Sequence, residues 1–127
     1  MFNRVILVGY LSRDPELRYT PNGMPVANLG LAVNSRFKQN GEVKEETLFI
    51  DIVSFGATAE NCNQYLGKGD PVLVEGRLRE RRWEYEGQQK RKIEVLANNI
   101  RFLPRKEKSV SEEDLLPPEE VSDLEPF

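Results

Sequence analysis

Between residues 3 and 103 the apolar side chains recur with a period of two or in short β-branched runs, and turn signals divide one run from the next. Asn3 to Tyr10 contains Val5-Ile6-Leu7-Val8, too continuous for a strand with one wet face. Such a run implies burial on both faces, or a barrel strand with a partner on its outside. Asp14-Pro15 breaks it. Leu17-Arg18-Tyr19-Thr20 is a short extended piece, and Thr20-Pro21-Asn22-Gly23 is a turn whose Asn-Gly tolerates positive φ. Leu29, Leu31 and Val33 then alternate with Asn28, Gly30, Ala32 and Asn34. Asn40-Gly41 is the next turn and Glu46 to Phe55 the next strand. Val72 to Leu78 follows, with a bulge or bend expected at Gly76. A polar hairpin turns around Glu86-Gly87, and Ile93 to Leu103 closes the domain.

One segment switches period. Ala59, Cys62 and Leu66 recur at helical spacing, which predicts a helix over about Ala57 to Leu66, with Gly56 as N-cap and Gly67 as terminator. The order is three short strands, one helix, two strands, with no βαβ alternation. That order fits an all-β chain: a five-stranded OB-fold barrel with one short helix between strands three and four. An SH3-like barrel is the alternative, but it has no need of a helix at this place. Barrels of the first kind bind oligonucleotides, sugars or proteins, so the fold leaves the function open.

Composition narrows it. The chain has 127 residues, no histidine and one cysteine. No Ser-His-Asp, Cys-His or His-metal chemistry can be assembled, and no intrachain disulfide, which suits a reducing cytosol. The start, Met1-Phe2-Asn3-Arg4, carries no signal-peptide pattern. No apolar run approaches the roughly 20 residues of a membrane span. The expectation is a soluble cytoplasmic protein, nucleoid-associated, without membrane contact or cofactor. Charge is divided along the chain. Residues 1–104 hold 15 basic and 13 acidic groups, a net of +2, whereas residues 105–127 hold 3 and 8, a net of −5. From Ser109 onward there are seven acids and no base. The split suggests an anionic ligand for the body and a separate task for a disordered acidic tail.

Aromatic residues are interleaved with bases. Arg36-Phe37-Lys38 precedes the polar Gln39-Asn40-Gly41 turn, Phe49 and Phe55 lie in the third strand, and Arg79-Glu80-Arg81-Arg82-Trp83-Glu84-Tyr85 leads into the last hairpin. Each base of a single strand has a π-face that stacks on a ring, worth about 1–3 kcal/mol. Cations beside the rings neutralise phosphates and release counterions. Together these suit binding without sequence choice. The ordinary place for Phe49 and Phe55, in an apolar strand, is the core; the ordinary reading of Cys62 is a small core residue. Glu45-Glu46 has no catalytic spacing, since adjacent acids on a strand point to opposite faces.

Taken together, Asn3-Arg4-Val5-Ile6-Leu7-Val8-Gly9, Asp14-Pro15-Glu16-Leu17-Arg18-Tyr19, Pro21-Asn22-Gly23, Phe55-Gly56-Ala57-Thr58-Ala59-Glu60, Tyr65-Leu66-Gly67-Lys68-Gly69 and Val74-Glu75-Gly76-Arg77-Leu78 resemble the bacterial single-stranded DNA-binding proteins, the SSB family. The end, Asp123-Leu124-Glu125-Pro126-Phe127, is similar to that family's acidic, Pro-Phe-terminated tip. The resemblance implies an OB-fold domain over 1–104, a charged flexible linker over 105–122 and a protein-interaction tip over 123–127. It implies a homotetramer that wraps single-stranded DNA without catalysis or cofactor, and a tip that recruits replication, recombination and repair proteins. By position, Phe37, Phe49, Phe55 and Trp83 would stack on bases. Arg4, Lys38, Lys44, Lys68, Arg79, Arg81 and Arg82 would contact phosphates, and Asp123, Leu124, Glu125, Pro126 and Phe127 would bind partners. The chain departs from the family in having Phe37 and Phe49 where tryptophan is frequent, and in placing Asp51 two residues from Phe49, where it is expected to pair with an arginine. The competing readings are an OB-type adaptor without a DNA role, and a metal-dependent nuclease, which lacks any recognisable ligand spacing.

Overall fold

Two dipeptide turns set the register of most of the sheet. The structure, a computed structural model, describes residues 1–104; the linker 105–122 and the tip 123–127 lie outside the described residues. Asn40 and Gly41 have φ of 54° and 81°, and Glu86 and Gly87 have φ of 51° and 77°. Two successive left-handed residues are what a two-residue type I′ hairpin demands. Each turn therefore dictates its ladder. Strands β3 (Pro25–Gln39) and β4 (Glu42–Phe55) pair from Gln39↔Glu42 back to Val26↔Phe55. Strands β5 (Pro71–Tyr85) and β6 (Gln88–Phe102) pair from Tyr85↔Gln88 back to Gly76↔Ala97, where a bulge between Glu75 and Gly76 shifts the register, as the glycine suggested.

Strand β1 (Val5–Leu11) closes the ring. It pairs with β5 along Val5 to Tyr10, and its last residues, Tyr10 and Leu11, pair with Ala32 and Leu31 of β3. A short parallel contact, Asp51–Val53 against Glu94–Leu96, joins β4 to β6. The result is a closed five-stranded barrel, with helix α1 (Gly56–Tyr65) between its third and fourth strands. The extended piece near Leu17 becomes β2 (Glu16–Tyr19), a short strand added to the beginning of β3. Asn3 lengthens the β1–β5 ladder with its side chain: its Nδ2 donates to Leu78 O at 2.8 Å, and Leu78 N donates to its Oδ1 at 3.1 Å.

The interior is filled by Leu11, Leu29, Leu31, Ile52, Val72, Val74, Val95 and Ile100. These are the inward halves of the period-two patterns. Helix α1 packs against β3 and β4 and buries Ala59 and Cys62. Burial pushes the Cys62 thiol up to about 11, with the Ser54 hydroxyl pulling weakly the other way. The helix begins and ends one residue earlier than its periodicity predicts. Phe55 finishes β4 in extended geometry (φ −131°, ψ 156°) and is itself the N-cap, and Leu66 N donates to Cys62 O at 3.0 Å as the chain leaves.

The strands are not short. Strands β3 to β6 run 14 or 15 residues. Apolar alternation stops at the barrel rim, where there is no interior left to fill, but the backbone ladders continue to the turns. The Val5–Val8 run is likewise resolved in one direction only. Val5 and Leu7 pack against the core, while Ile6, Val8 and Tyr10 are exposed on the outside.

Candidate nucleic-acid interface

Ile50, Ile52 and Ser54 of β4 face inward, so by alternation Phe49, Asp51, Val53 and Phe55 face outward. The register carries this face across the sheet. On β3 the partners are Ala32 for Phe49, Gly30 for Asp51 and Val26 for Phe55, and Arg18 of β2 pairs with Val26. On the other side Glu94 stands beside Asp51, and Arg79↔Glu94, Arg81↔Lys92 and Trp83↔Lys90 complete the rows. One outer surface thus carries three rings, Phe55, Phe49 and Trp83, interspersed with Arg18, Arg79, Arg81, Lys90 and Lys92. A shallow cavity of about 330 Å³ spans it, lined among others by Arg18, Phe55, Asp51, Glu94, Arg79 and Arg81.

The rings are out of the core. Phe49 is 69% exposed, Phe55 41%, and Trp83 and Phe37 38% each. The core placement that is usual for Phe49 and Phe55 does not hold here, because the inward positions of β4 are taken by its isoleucines.

Four cations at this face are ordered by two carboxylates. Asp51 pairs with Lys92 and, at 3.5 Å, with Arg13 from the β1–β2 loop. Arg13 reaches it over Gly30. A Cβ there would lie 2.3 Å from Arg13 Nη1 and 2.5 Å from Ser12 Oγ, so this position has no room for a side chain while Arg13 crosses it. The expected arginine partner of Asp51 is therefore Arg13, joined by a lysine. Glu94, only 2% exposed, accepts hydrogen bonds from Arg79 Nε (3.2 Å) and Nη2, and forms an ion pair with Arg81, whose Nε lies 3.4 Å from its Oε1. The Arg81 guanidinium lies 4.5 Å above the Trp83 ring, a cation–π contact.

Not every residue singled out from the sequence gathers here. Phe49, Phe55, Trp83, Arg79 and Arg81 do. Lys38 is on the same side of the β3–β4 hairpin, nearer its turn, whereas Phe37 and Lys44 are cross-strand partners on its reverse side. Arg82 is on the reverse of the β5–β6 hairpin, where Glu80 holds it at 2.8 Å and Arg91 at 3.7 Å. Arg4 is tied to Glu75 on the β1–β5 side of the barrel. Lys68 sits in the α1–β5 loop, its backbone N donating to Asp14 Oδ1 at 2.8 Å. The tip residues Asp123 to Phe127 lie outside the described residues. Sequence reasoning missed Arg13, Arg18, Lys90, Lys92 and Glu94. The Glu86-Gly87 turn could have placed Lys90 opposite Trp83 and Lys92 opposite Arg81. Nothing local announces Arg13 or Glu94.

A closed five-stranded barrel with this strand order, its helix between the third and fourth barrel strands and rings exposed on one face, is an OB-fold of the nucleic-acid-binding kind. Residues 2–103 match the Single-strand binding protein family. A single-stranded DNA-binding protein of Wolinella succinogenes is 48% identical over 108 residues, 84% of this chain and 67% of that one. The one from Aquifex aeolicus is 42% identical over 130 residues, covering 98% of this chain and 88% of the relative. Among solved structures, a Plasmodium falciparum SSB in complex with ssDNA superimposes with a TM-score of 0.75 at 28% identity, over 82% of this chain and 96% of that chain. The chain belongs to the Single-strand binding protein family, whose members bind DNA and catalyse no reaction. Among the described residues no helix is long and apolar enough to cross a membrane.

Proposed function

We propose that this chain binds and protects single-stranded DNA without sequence preference during replication, recombination and repair. The observation that carries the reading is the placement of Phe49, Phe55 and Trp83 on one outer face with Arg18, Lys90 and the ordered arginines between them. Rings at separate rows can each take a base, and stacking is blind to base identity. Lys38 extends the path along the β3–β4 hairpin, and Phe37 and Lys44 on the reverse of that hairpin, with Arg4, Lys68 and Arg82, would meet DNA that wraps to other sides of an assembly. That assembly is a homotetramer. The exposed row Ile6, Val8 and Tyr10 supports self-association, since an outward apolar strand face is resolved by a partner; the number four comes from the family. The protein works in the cytoplasm, associated with the nucleoid. The net −7 segment from Ser109 to Phe127 recruits partner enzymes through Asp123, Leu124, Glu125, Pro126 and Phe127. An apolar pocket rimmed by Arg or Lys would take the terminal ring and α-carboxylate together.

Titration of labelled oligo(dT), with duplex as control and salt varied, tests the reading. Single strands bind far more tightly, with a log-log salt slope of about −0.7 per phosphate neutralised. A flat salt response, or equal affinity for duplex, overturns it. Deleting Phe127 abolishes partner pull-down and leaves oligo(dT) binding in place.

A further inference from the structure

Glu94 is the most enclosed charge on the outer face, although it points away from the barrel interior; its neighbour Val95 is the one that faces the core. A carboxylate beneath a path for a polyanion is unfavourable by charge alone, and a buried one persists only where cations offset its desolvation. Glu94 has two such cations, and it constrains them differently. Arg79 directs Nε and Nη2 to the same oxygen, Oε2. Arg81 is held by charge alone: its Nε lies 3.4 Å from Oε1 as an ion pair, which leaves the outer edge of its guanidinium uncommitted to Glu94. That same guanidinium covers the Trp83 ring at 4.5 Å. An arginine on an open strand surface has many rotamers. Attraction to the Glu94 carboxylate favours those that keep its Nε near Oε1, and in this one the guanidinium lies over the indole.

We propose that Glu94 is a positioning residue for base stacking. It holds Arg81 against one face of Trp83, so that the ring stands ready with its other face open to a base and the guanidinium edge open to the adjoining phosphate. The inference rests on the reading that this face binds single-stranded DNA. It makes a prediction opposite in sign to that of simple charge. If Glu94 only neutralises its arginines, removing its charge raises the positive potential and tightens DNA binding. If it positions them, removing it weakens binding despite the gain in positive charge.

The test uses the full chain and oligo(dT) anisotropy, with fluorescence of Trp83, the chain's single tryptophan, as a second readout. Glu94→Gln weakens binding by roughly five- to tenfold, because Arg81 is no longer drawn to one place over Trp83. The Trp83 emission of the unbound variant shifts, and oligo(dT) quenches it less than it quenches the wild type. In an Arg81→Met background the Glu94→Gln change costs less than about twofold, because the link it acts through is already gone. Arg81→Lys is the companion variant if Glu94→Gln does not fold: it keeps the charge, gives up the planar stack, and loses affinity to a similar extent. Tighter or unchanged binding by Glu94→Gln, an Arg81→Lys variant that binds as the wild type does, or equal Glu94→Gln losses in both backgrounds would each overturn the proposal. A wild-type chain that fails to bind oligo(dT) would overturn the underlying reading instead.

Discussion

Replacing Trp83 by alanine separates a stacking ring from a structural one. Trp83 sits on β5 opposite Lys90, three cross-strand pairs from the Glu86-Gly87 turn and outside the core cluster. Its ring is 38% exposed, and the Arg81 guanidinium covers part of the rest. What the fold loses in Trp83→Ala is mainly that cation–π contact, about 0.5–1 kcal/mol. In a domain of this size that lowers the melting temperature by only a few degrees. What DNA binding loses is a stacked base, about 1–3 kcal/mol. At each occupied site this amounts to about five- to 150-fold in affinity. Anisotropy with labelled oligo(dT) at fixed salt measures the second quantity and thermal circular dichroism the first. Ile52→Ala supplies the contrast, since truncating that fully buried side chain costs about 2–5 kcal/mol of stability. The reasoning is refuted if Trp83→Ala binds oligo(dT) as tightly as the parent, or if it melts as early as Ile52→Ala.

Four other outcomes are expected. Cys62 stays unreactive toward Ellman's reagent at pH 8 until the domain unfolds, because its thiol is fully buried and its pKa is pushed up to about 11. With the native pKa above the unfolded one, near 9.0, the native state holds the proton longer, so the stability advantage of wild type over Cys62→Ala narrows as pH rises from 9 to 11. Glu86→Asn raises the melting temperature by a few degrees, since position 86 has φ of 51°, a region costly for glutamate and tolerated by asparagine; an unchanged or lower melting temperature contradicts that account. Val8→Glu, placed in the exposed Ile6-Val8-Tyr10 row, reduces the mass measured by light scattering without unfolding the barrel, and a variant that keeps the parent's mass removes that row from the interface.

Much of the fold was legible because its strongest instructions are local. Asn40-Gly41 and Glu86-Gly87 announce turns, and counting outward from each gives the pairing of β3 with β4 and of β5 with β6. The helix was legible from Ala59 and Cys62. Strand length was not, since the arms near Phe37 and Trp83 have no apolar alternation to read; hydrogen bonding alone carries them to the turn. The site was half legible. Phe49 and Phe55 read as core in a run of hydrophobic residues, yet Asp51 shares their parity and cannot face a barrel interior, so the three together mark the outer face. Arg79, Arg81 and Trp83 stood out by composition, but that Arg82 belongs to the reverse side needed the register. The pairing of Arg13 with Asp51 joins segments that only the closed barrel brings together, through a gap at Gly30 that no local pattern explains.

Beyond the rim the molecule has two arms of equal length. Six cross-strand pairs, Asn34↔Thr47 to Gln39↔Glu42, form one, and six more, Glu80↔Ile93 to Tyr85↔Gln88, form the other. Each extends about 20 Å at 3.3 Å per residue. Their side chains are almost all exposed, and neither arm contributes to the core cluster. Ladders without buried apolar contacts open at a small fraction of the free energy needed to unfold a barrel. Amide exchange therefore divides the domain into two tiers, slow around Leu31, Ile52 and Val74 and fast from Phe37 through Lys44 and from Trp83 through Lys90. Trp83 and Phe37 are mounted on the faster tier. On the proposed function a bound strand would immobilise them, part of its affinity would be spent on ordering protein, and protection of the arm amides on binding would measure how much.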